Sequence, residues 1–290
     1  MRLRFNFALP LPHLMIRSFS KAIRSNIYHH SDLPYRMKMI ELMRHIWLLN
    51  FLLPIVLLAV AGIMCAKRPE DKRWDGLLLM GALILPAQAL VYSVVLQLTR
   101  LVQVRYDLYL FAFDRFFDEP SFKLGHYLAV HSCLGSISGM AYGLLSTFIL
   151  TIWVIYRWNC GTRETIQIVR TFILNDVLAV PLYLLIPASG PKYAFNTFPS
   201  LPADFSSPHT ILLSFPPNAI PSVHTSTALL ILYFARKWPL GIGLALAHLF
   251  LVFVSTLGLG EHYLFDLIVA LPYSALIIWL GKNPEEPTRV

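Results

Sequence analysis

Charged residues are scarce in this sequence: only 14% of its 290 residues are Asp, Glu, Lys or Arg, whereas 56% are hydrophobic. Soluble domains usually contain about 25% charged and about 45–50% apolar residues, so an ordinary soluble fold is excluded. Several apolar runs reach the ~20 residues that cross a hydrocarbon core of ~30 Å. Because backbone groups in lipid must be satisfied internally, and because these runs are too long and too uniformly apolar for barrel strands, we expect membrane-spanning helices.

Paired cysteine spacings and metalloprotease motifs are also missing. Cys65, Cys133 and Cys160 are an odd number without paired spacing, so we interpret them as packing residues. No His-Glu-x-x-His occurs, which argues against a metalloprotease. The net charge is +8, but no basic stripe with interleaved aromatics is present, so nucleic-acid binding is not expected. The basic N-terminal flank is instead typical of attraction to anionic membrane lipids.

The apolar runs divide the chain into three parts. Residues 1–45 form a basic arm, in which apolar residues recur at helical spacing between Ile16 and Ile27 and predict an amphipathic helix at the membrane surface. Residues 46–281 form the membrane-embedded domain, and residues 282–290 are a short tail. The candidate spans are 46–66, 77–99, 137–157, 168–187, 223–235, 239–257 and 263–281.

The number of crossings is left at six or seven, because residues 101–136 mix aromatic and charged side chains. Part of that piece is expected to lie at the interface or to re-enter. If the last four spans alternate, several basic residues fall on one side: Arg157, Arg163, Arg236, Lys237 and Lys282. Positive charge prefers the cytoplasm, so the 188–222 loop and residues 258–262 are expected on the periplasmic, lumenal or exterior face.

Two short motifs, Pro-Ser-Val-His at 221–224 and His-Tyr-Leu-Phe-Asp at 262–266, are separated by a hairpin of two apolar segments. A helix going in and a helix coming back return the chain to one side, so His224 and His262 are expected at the same membrane face. A spacing of four puts His262 and Asp266 on one helix face. The carboxylate can accept the imidazole Nδ1–H, which leaves Nε2 free as a nucleophile or base. The alternative is a capping pair at a helix start.

The surroundings of these histidines suggest a phosphate site. Ser222 or Asn218 could cap the helix that begins near His224, and free N–H groups at a helix start bind anions. Lys192, directly after a span, would add positive charge at the same face, although a lysine that snorkels from a span end is an alternative. The proline-rich 188–222 loop is expected to form a lid or a pocket wall, since structureless loops of this length are usually functional.

The order Gly-Pro-Lys at 190–192, Pro-Ser-x-His at 221–224 and His-Tyr-x-x-Asp at 262–266 resembles the type-2 phosphatidic acid phosphatase superfamily. It is most similar to the branch of the inositolphosphoryl-ceramide synthases and their bacterial relatives. The resemblance covers about residues 77–281. It implies an all-α fold, a polytopic membrane bundle with a six-helix core, to which this chain would add an extra N-terminal helical element.

The resemblance also implies roles for the motif residues. His262 would attack phosphorus to form a phosphohistidine, Asp266 would orient and stabilise it, and His224 would protonate the leaving oxygen. Lys192, Ser222 and backbone amides would hold the phosphate. The chemistry would need no metal ion and no cofactor, and the substrate would be a lipid phosphate or phospholipid. The identity of the lipid and the oligomeric state are left open.

One or two phosphate-binding arginines of the superfamily are absent from the chain. Ser255-Thr256 stands where the last motif of the phosphatases has Ser-Arg, and Pro199-Ser200 stands where the first motif has Arg-Pro. The transferase-like branch also lacks the arginine of the last motif. This departure therefore favours that branch over plain phosphatases.

Several functions remain open at this point. The first is a lipid phosphatase or phosphotransferase that works through a phosphohistidine, with water or an alcohol as acceptor, or that moves a phospho-head group of the inositolphosphoryl type. The second is a non-catalytic transporter or scaffold, which the missing arginines keep in consideration. The third is a rhomboid-like serine protease, because Pro-Ala-Ser-Gly at 187–190 precedes a helix-borne histidine. That class requires Gly-x-Ser-Gly at a helix start, whereas Pro191 and a long loop follow here.

Overall fold

The computed structural model of the protein describes residues 105–160, 162–201 and 218–282. Regular secondary structure in these ranges is helical throughout, so the predicted all-α fold is confirmed. The predicted N-terminal arm, the spans at 46–66 and 77–99, and the tail beyond residue 282 lie outside the described residues. The helices are α1 Asp107–Phe116, α2 Pro120–Val130, α3 Ser132–Gly143, α4 Leu145–Asn159, α5 Thr162–Leu185, α6 Pro191–Ala194, α7 Val223–Ala235, α8 Pro239–Gly258 and α9 Leu264–Gly281.

Three helices within the described ranges are long and apolar enough to cross a membrane: α5 over Arg163–Leu185, α8 and α9. The pair α3 and α4 makes a fourth crossing if it is counted as one span with a bend of 48°. The chain is therefore a membrane protein with a helical bundle. The expectation of one continuous span over 137–157 is wrong, because a break falls at Leu144 between the two helices. Helix α3 is rich in glycine and serine, and such pairs are a usual cause of sharp bends.

Helix α7 has the bounds predicted for it, but it is shorter than a full span. Its 13 residues rise about 20 Å, against a hydrocarbon core of ~30 Å. It begins where Ser222 caps it and ends at the polar Arg236-Lys237 pair. Helix α7 is therefore shorter than the usual crossing and is an apolar helix packed inside the bundle, and its interpretation as a membrane span stays a prediction.

The main core lies between α4, α5, α7 and α9. Leu230, Ile231 and Phe234 of α7 are almost fully buried in it, and α7 also packs against α8. Large apolar side chains on the outer faces of α8 and α9 are exposed, as expected for helices that face lipid. Cys160 packs against this core as expected, whereas Cys133 is exposed, so the packing role predicted for Cys133 is wrong.

Helices α5, α7, α8 and α9 alternate in direction along the bundle. The connection between α7 and α8 is only three residues long, and α9 packs against both α7 and α5. The end of α5, the start of α7, the end of α8 and the start of α9 therefore meet at one end of the bundle. Both histidine motifs lie at that end, and the basic pair Arg236-Lys237 lies at the other.

Two short helices, α1 and α2, support this end of the bundle. With 10 and 11 residues they are too short to cross a membrane, in line with the interfacial position expected for part of 101–136. They form a second apolar cluster with the loops on either side of the histidine motifs. Its members are Leu110, Phe111, Phe122, Ala188, Ala194, Phe195, Ala219, Ile220 and Tyr263.

The closeness of α2 to this cluster gives a stability prediction. A Cβ on Gly125 would lie 2.5 Å from the Phe198 ring and 3.2 Å from the carbonyl oxygen of Gly258. We predict that Gly125→Ala destabilises the protein by about 1–3 kcal/mol, because the packing there leaves no room for a methyl group. Thermal unfolding in detergent micelles measures the effect.

Gly139→Ala is the matched control, since a Cβ on Gly139 of α3 meets nothing within 4 Å. Alanine is favoured over glycine in helices by roughly 0.5–1 kcal/mol, so this variant is expected to be as stable as the wild type or slightly more so. Equal melting temperatures for the two variants would contradict the packing described at Gly125.

Candidate active site

The two histidines of the sequence motifs lie side by side. His224 is the second residue of α7, and His262 immediately precedes the N-cap of α9. Their ring centroids are 6.1 Å apart, with an angle of 58° between the ring planes. The expected proximity of the two imidazoles is therefore confirmed. At this separation both rings can address one phosphoryl group.

His262 is held by a main-chain oxygen. Its ring is buried, and Nδ1 lies 3.0 Å from the carbonyl oxygen of Ala219. A carbonyl oxygen can only accept, so Nδ1 carries the proton and donates it to Ala219. The lone pair of Nε2 is then available as a nucleophile. The sequence suggested Asp266 as the acceptor, but its Oδ2 is the more distant partner of Nδ1, at 3.3 Å.

Asp266 caps α9, as one of the two sequence alternatives proposed, and also lies beside His262. It is the third residue of α9, and its Oδ2 accepts a hydrogen bond of 2.8 Å from the main-chain N–H of the N-cap residue, Tyr263. The same oxygen faces His262. Asp266 thus caps α9 and places a carboxylate beside the imidazole, where it stabilises a positive charge on that ring.

His224 has an aromatic partner that the sequence gave no reason to select. The hydroxyl of Tyr142, from α3, lies 3.1 Å from Nδ1 of His224. The two rings are stacked, with centroids 3.9 Å apart and an angle of 17°. Nδ1 of His224 is therefore engaged on the side of the bent helix, which leaves Nε2 as the nitrogen for a ligand.

Ser222 caps α7, as one of the two sequence alternatives proposed. Its Oγ accepts the N–H of Thr225 at 3.3 Å and donates to the Thr225 hydroxyl at 3.0 Å. Ser222 is fully buried. Its hydroxyl is therefore engaged in the cap, and the role in holding phosphate stays a prediction.

Lys192 lies on the short helix α6, beside the loop that precedes His262. Its main-chain N–H donates to the carbonyl of Gly260 at 3.0 Å, and its half-exposed Nζ lies 3.3 Å from Oε1 of Glu261. Glu261 also accepts a bond of 2.8 Å from the Tyr193 hydroxyl. The lysine is thus near the site, as expected, but it is paired with an acidic residue that the sequence motifs did not mark.

Two glycines allow the Lys192 segment to approach the His262 loop. Gly190 has φ +91°, and a Cβ there would lie 2.2 Å from the carbonyl oxygen of Glu261. Gly260 has φ +71°, and a Cβ there would lie 2.7 Å from the Phe198 ring. Both the left-handed conformation and the close contact require glycine. Residues 188–191 and 219–222, near the two ends of the 188–222 loop, are buried, and the predicted lid or pocket wall stays a prediction. Residues 202–217 lie outside the described residues.

Two carboxylates of α1 tie these segments together. Asp107 accepts bonds of 3.0 Å from the main-chain N–H groups of Ser189 and Gly190 and from the Tyr263 hydroxyl. Asp114, two turns further along α1, accepts a bond of 2.8 Å from the N–H of Leu264 at the start of α9. Sequence reasoning did not identify them as site residues. Their signal was a seven-residue spacing, which puts two carboxylates on one face of an otherwise aromatic helix.

Burial changes the acid–base behaviour of both carboxylates. Removal from water raises the pKa of Asp107 to about 6, against the opposing effect of the hydrogen bonds from Ser189, Tyr263 and Gly190. The pKa of Asp114 is likewise raised to about 6 by burial, opposed by hydrogen bonds from Ser121 and Leu264. Both groups are therefore easier to protonate in the folded protein than in the unfolded chain.

The position of the phosphatase arginine is occupied by a buried threonine. The Thr256 hydroxyl donates back to the carbonyl of Val252, at 2.9 Å, within α8. The carbonyl of Thr256 accepts the N–H groups of Glu261 and His262, both at 3.1 Å. Thr256 thus holds the His262 loop but presents no positive charge.

Ser189 does not have the partner that a serine protease requires. Its main-chain N–H is bound to Asp107, and within the described ranges its buried hydroxyl has no hydrogen-bond partner. A nucleophilic serine is normally bonded to its histidine base. The arrangement therefore argues against the rhomboid-like alternative.

Comparison with protein families agrees with these motifs. The family model described as PAP2 superfamily matches residues 110–280, more than half of the 290-residue chain. The match runs from α1 into α9 and includes every predicted site residue. No curated protein and no solved structure gives a significant match.

The raised pKa values of the α1 carboxyls give a pH prediction. Between pH 4 and 6 the folded protein binds more protons at Asp107 than the unfolded chain, whose pKa has the ordinary value of 3.8. Stability from this group is therefore present at low pH and is lost as pH rises. Relative to Asp107→Asn, which cannot ionise, we predict that the wild type loses roughly 3 kcal/mol of unfolding free energy between about pH 4 and pH 7.

Chemical unfolding in detergent at several pH values measures this difference. Asp118→Asn is the control, because Asp118 is exposed and its ion-pair partner within the described ranges is the exposed Lys123. Its stability should run parallel to that of the wild type across the range. A constant difference between wild type and Asp107→Asn would show that Asp107 is not the titrating group.

Proposed function

Because the chain belongs to the PAP2 superfamily, we propose that it is an integral-membrane enzyme that transfers the phosphoryl group of a lipid phosphate to water or to an alcohol. The observation that carries the proposal is the pair of imidazoles, His224 and His262, 6.1 Å apart at one end of the bundle. Each has its Nδ1 engaged by the protein, at 3.1 Å and 3.0 Å, so that both Nε2 atoms remain for chemistry.

In the first step His262 is the nucleophile. Its Nε2 attacks phosphorus, a P–N bond forms, and the P–O bond to the leaving group breaks. His224 gives its Nε2 proton to the departing oxygen, so the product leaves as an alcohol. The ring of His262 becomes positively charged as it is phosphorylated. Asp266, at 3.3 Å from Nδ1, stabilises that charge.

In the second step the phosphoryl group moves on from the histidine. Water or an alcohol attacks phosphorus, and the now neutral His224 takes the proton of the attacking hydroxyl. The P–N bond breaks and His262 returns to its starting tautomer, with Nδ1–H again donating to Ala219. Neither step requires a metal ion or a cofactor.

Charge on the phosphoryl group would be neutralised by Lys192 and by the N-terminus of α7. Lys192 is half-exposed, and its surface ion pair with Glu261 costs little to break. Glu261 keeps its bond to Tyr193 when the lysine turns toward a phosphate. The first turn of α7 contributes the positive end of a helix dipole. These features support the phosphate-binding role of Lys192.

A second candidate function is transfer of a phospho-head group of the inositolphosphoryl type to a lipid alcohol. The observation that favours it is Thr256, which is buried and bonded within α8 where the phosphatases of the superfamily have an arginine. The resemblance to the transferase-like branch, which also lacks this arginine, points the same way. His262 would then attack a phosphodiester, with a lipid alcohol as the leaving group.

We also propose that the site lies on the periplasmic, lumenal or exterior side. Arg236 and Lys237, between α7 and α8, lie at the opposite end of the bundle from the histidines. Positive residues between spans are retained in the cytoplasm, so the histidine end is expected outside. Modification of single engineered cysteines by an impermeant thiol reagent in intact cells would test this orientation.

The nucleophile gives the first functional prediction. Purified protein in detergent with EDTA is expected to release phosphate from a lipid phosphate or to transfer it to an alcohol, in a panel with water and inositol as competing acceptors. Rapid quenching should trap acid-labile radiolabel on His262. His262→Asn should abolish turnover and labelling, because no other ring replaces its Nε2.

Ser189→Ala separates this function from proteolysis. It should retain most of the turnover, since the Ser189 hydroxyl takes no part in phosphoryl transfer. Cleavage of a peptide substrate that disappears in Ser189→Ala, with a serine that is labelled by a fluorophosphonate probe, would support the protease instead. A folded wild type that turns over no member of the panel would favour a transporter or scaffold.

The general acid gives a second functional prediction. His224→Ala should lower kcat by ~10²–10⁴ with an alkyl phosphate, the usual range for loss of a general acid–base group. With p-nitrophenyl phosphate the loss should be much smaller, because nitrophenolate leaves without protonation. Steady-state kinetics on both substrates measure the contrast.

His131→Ala is the matched control, since His131 is an exposed histidine that also stacks on a tyrosine, Tyr127. It should leave both rates unchanged. Equal losses on the two substrates for His224→Ala would mean that His224 does not protonate the leaving group.

A further inference from the structure

We propose that Tyr142 is a positioning residue that sets the tautomer and the ring plane of His224; this inference rests on the phosphoryl-transfer function proposed above. Two contacts carry it. The Tyr142 hydroxyl lies 3.1 Å from Nδ1 of His224, and the two rings stack with centroids 3.9 Å apart. In the tautomer that we propose, the Tyr142 hydroxyl accepts the Nδ1–H of His224, and the stacked ring fixes the plane in which the imidazole lies.

The proton-transfer role of His224 explains why Nδ1 needs an oxygen partner. To act as an acid, the ring must carry protons on both nitrogens and release only the one on Nε2. The Tyr142 oxygen accepts the Nδ1–H before and after that release, so Nδ1 stays protonated and Nε2 alone exchanges its proton. Tyr142 itself neither gains nor loses a proton. The carbonyl of Ala219 accepts the Nδ1–H of His262. The proposal gives the Tyr142 oxygen the same accepting role toward His224, although a hydroxyl, unlike a carbonyl, is also able to donate.

Two hydrogen bonds fix helix α3 to α8 just before Tyr142. The Ser255 hydroxyl donates to the carbonyl of Ser138 at 2.6 Å. Nε2 of the buried His248 lies 3.2 Å from the carbonyl of Ala141, the residue before Tyr142, and a carbonyl can only accept this bond. Both hydrogen bonds reach carbonyls that lie about one helical turn or less before Tyr142. They hold the tyrosine against His224 just before the chain bends at Leu144.

The other titratable groups near His224 do not replace this contact. His262, with Asp266 behind it, faces His224 from the α9 side at 6.1 Å between ring centroids. From α5, the Tyr183 hydroxyl donates to the carbonyl of Pro221, at 3.4 Å. Loss of the Tyr142 hydroxyl therefore removes the acceptor that favours the doubly protonated ring of His224. The alkaline limb of the kcat–pH profile should then move to lower pH.

Tyr142→Phe tests the proposal, because phenylalanine keeps the stacked ring and removes only the oxygen. With the lipid phosphate that the wild type turns over fastest, kcat should fall about 5- to 10-fold, the effect of one hydrogen bond, while KM stays within about twofold. In the His224→Ala background the same substitution should cause no further loss. Tyr127→Phe is the matched control, since Tyr127 stacks on His131 at 4.3 Å outside the site.

A merely structural role would give a different result. Tyr142→Phe would then lower kcat equally in the wild-type and His224→Ala backgrounds, with no change in the pH profile, and the proposal would be overturned. Full kcat in Tyr142→Phe, beside a slow His224→Ala, would overturn it as well. A rise in KM alone would assign Tyr142 to substrate binding instead.

A readout that needs no turnover keeps this test separate from the proposed function. In protein labelled with ¹⁵N-histidine, the His224 signals are identified by their absence from His224→Ala. They should report a protonated Nδ1 in the wild type and a mixture of tautomers in Tyr142→Phe. Identical ¹⁵N shifts in both proteins would refute the role of Tyr142. If the tautomer changes as expected but no phosphate ester turns over, the function proposed for the site fails while the contact stands.

Discussion

Hydrogen bonds from main-chain N–H groups to two buried carboxylates, Asp107 and Asp114, hold together the end of the bundle that carries the histidines. Asp107 binds the segment that leaves α5, and Asp114 binds the first N–H of α9. These segments are far apart in sequence and would otherwise carry unsatisfied donors at the edge of an apolar bundle, which is costly. Since both carboxylates project from one face of α1, this single short helix fixes the segment at Ser189–Gly190 relative to the start of α9. The geometry around His262 depends on this.

Within that frame, the site is assembled from helix ends and main-chain carbonyls. Ala219 positions His262, and Thr256 receives two N–H groups of the loop that carries it. Such contacts restrict the histidine without placing further charges beside it. The side chains that face a ligand can therefore be few. A small number of charged side chains at the site is consistent with a superfamily member in which Thr256 occupies the arginine position of the phosphatases.

The helical hairpin and the proximity of His224 to His262 could be predicted from the sequence, because counting apolar segments determines which chain ends share a face. The bounds of α7 followed from its cap and from Arg236. The role of Tyr142 could not be predicted, since a contact across 82 residues leaves no local pattern. The acceptor for His262 was missed for a related reason. It is a main-chain carbonyl, which every residue has, so the residue type at Ala219 gives no signal. The break at Leu144 was hidden within an apolar run.

The Lys192–Glu261 pair at the rim of the site has a consequence for how an anion arrives. At a distance, two paired opposite charges act as a dipole, and the potential of a dipole decays faster than that of an isolated cation. Salt also screens this potential, within about 8 Å at physiological ionic strength. A lone lysine would attract every passing polyanion, whereas this rim hardly steers diffusion. For the proposed lipid substrate, discrimination between head groups would therefore occur on direct contact, after the lipid has reached the site by lateral movement within its own leaflet.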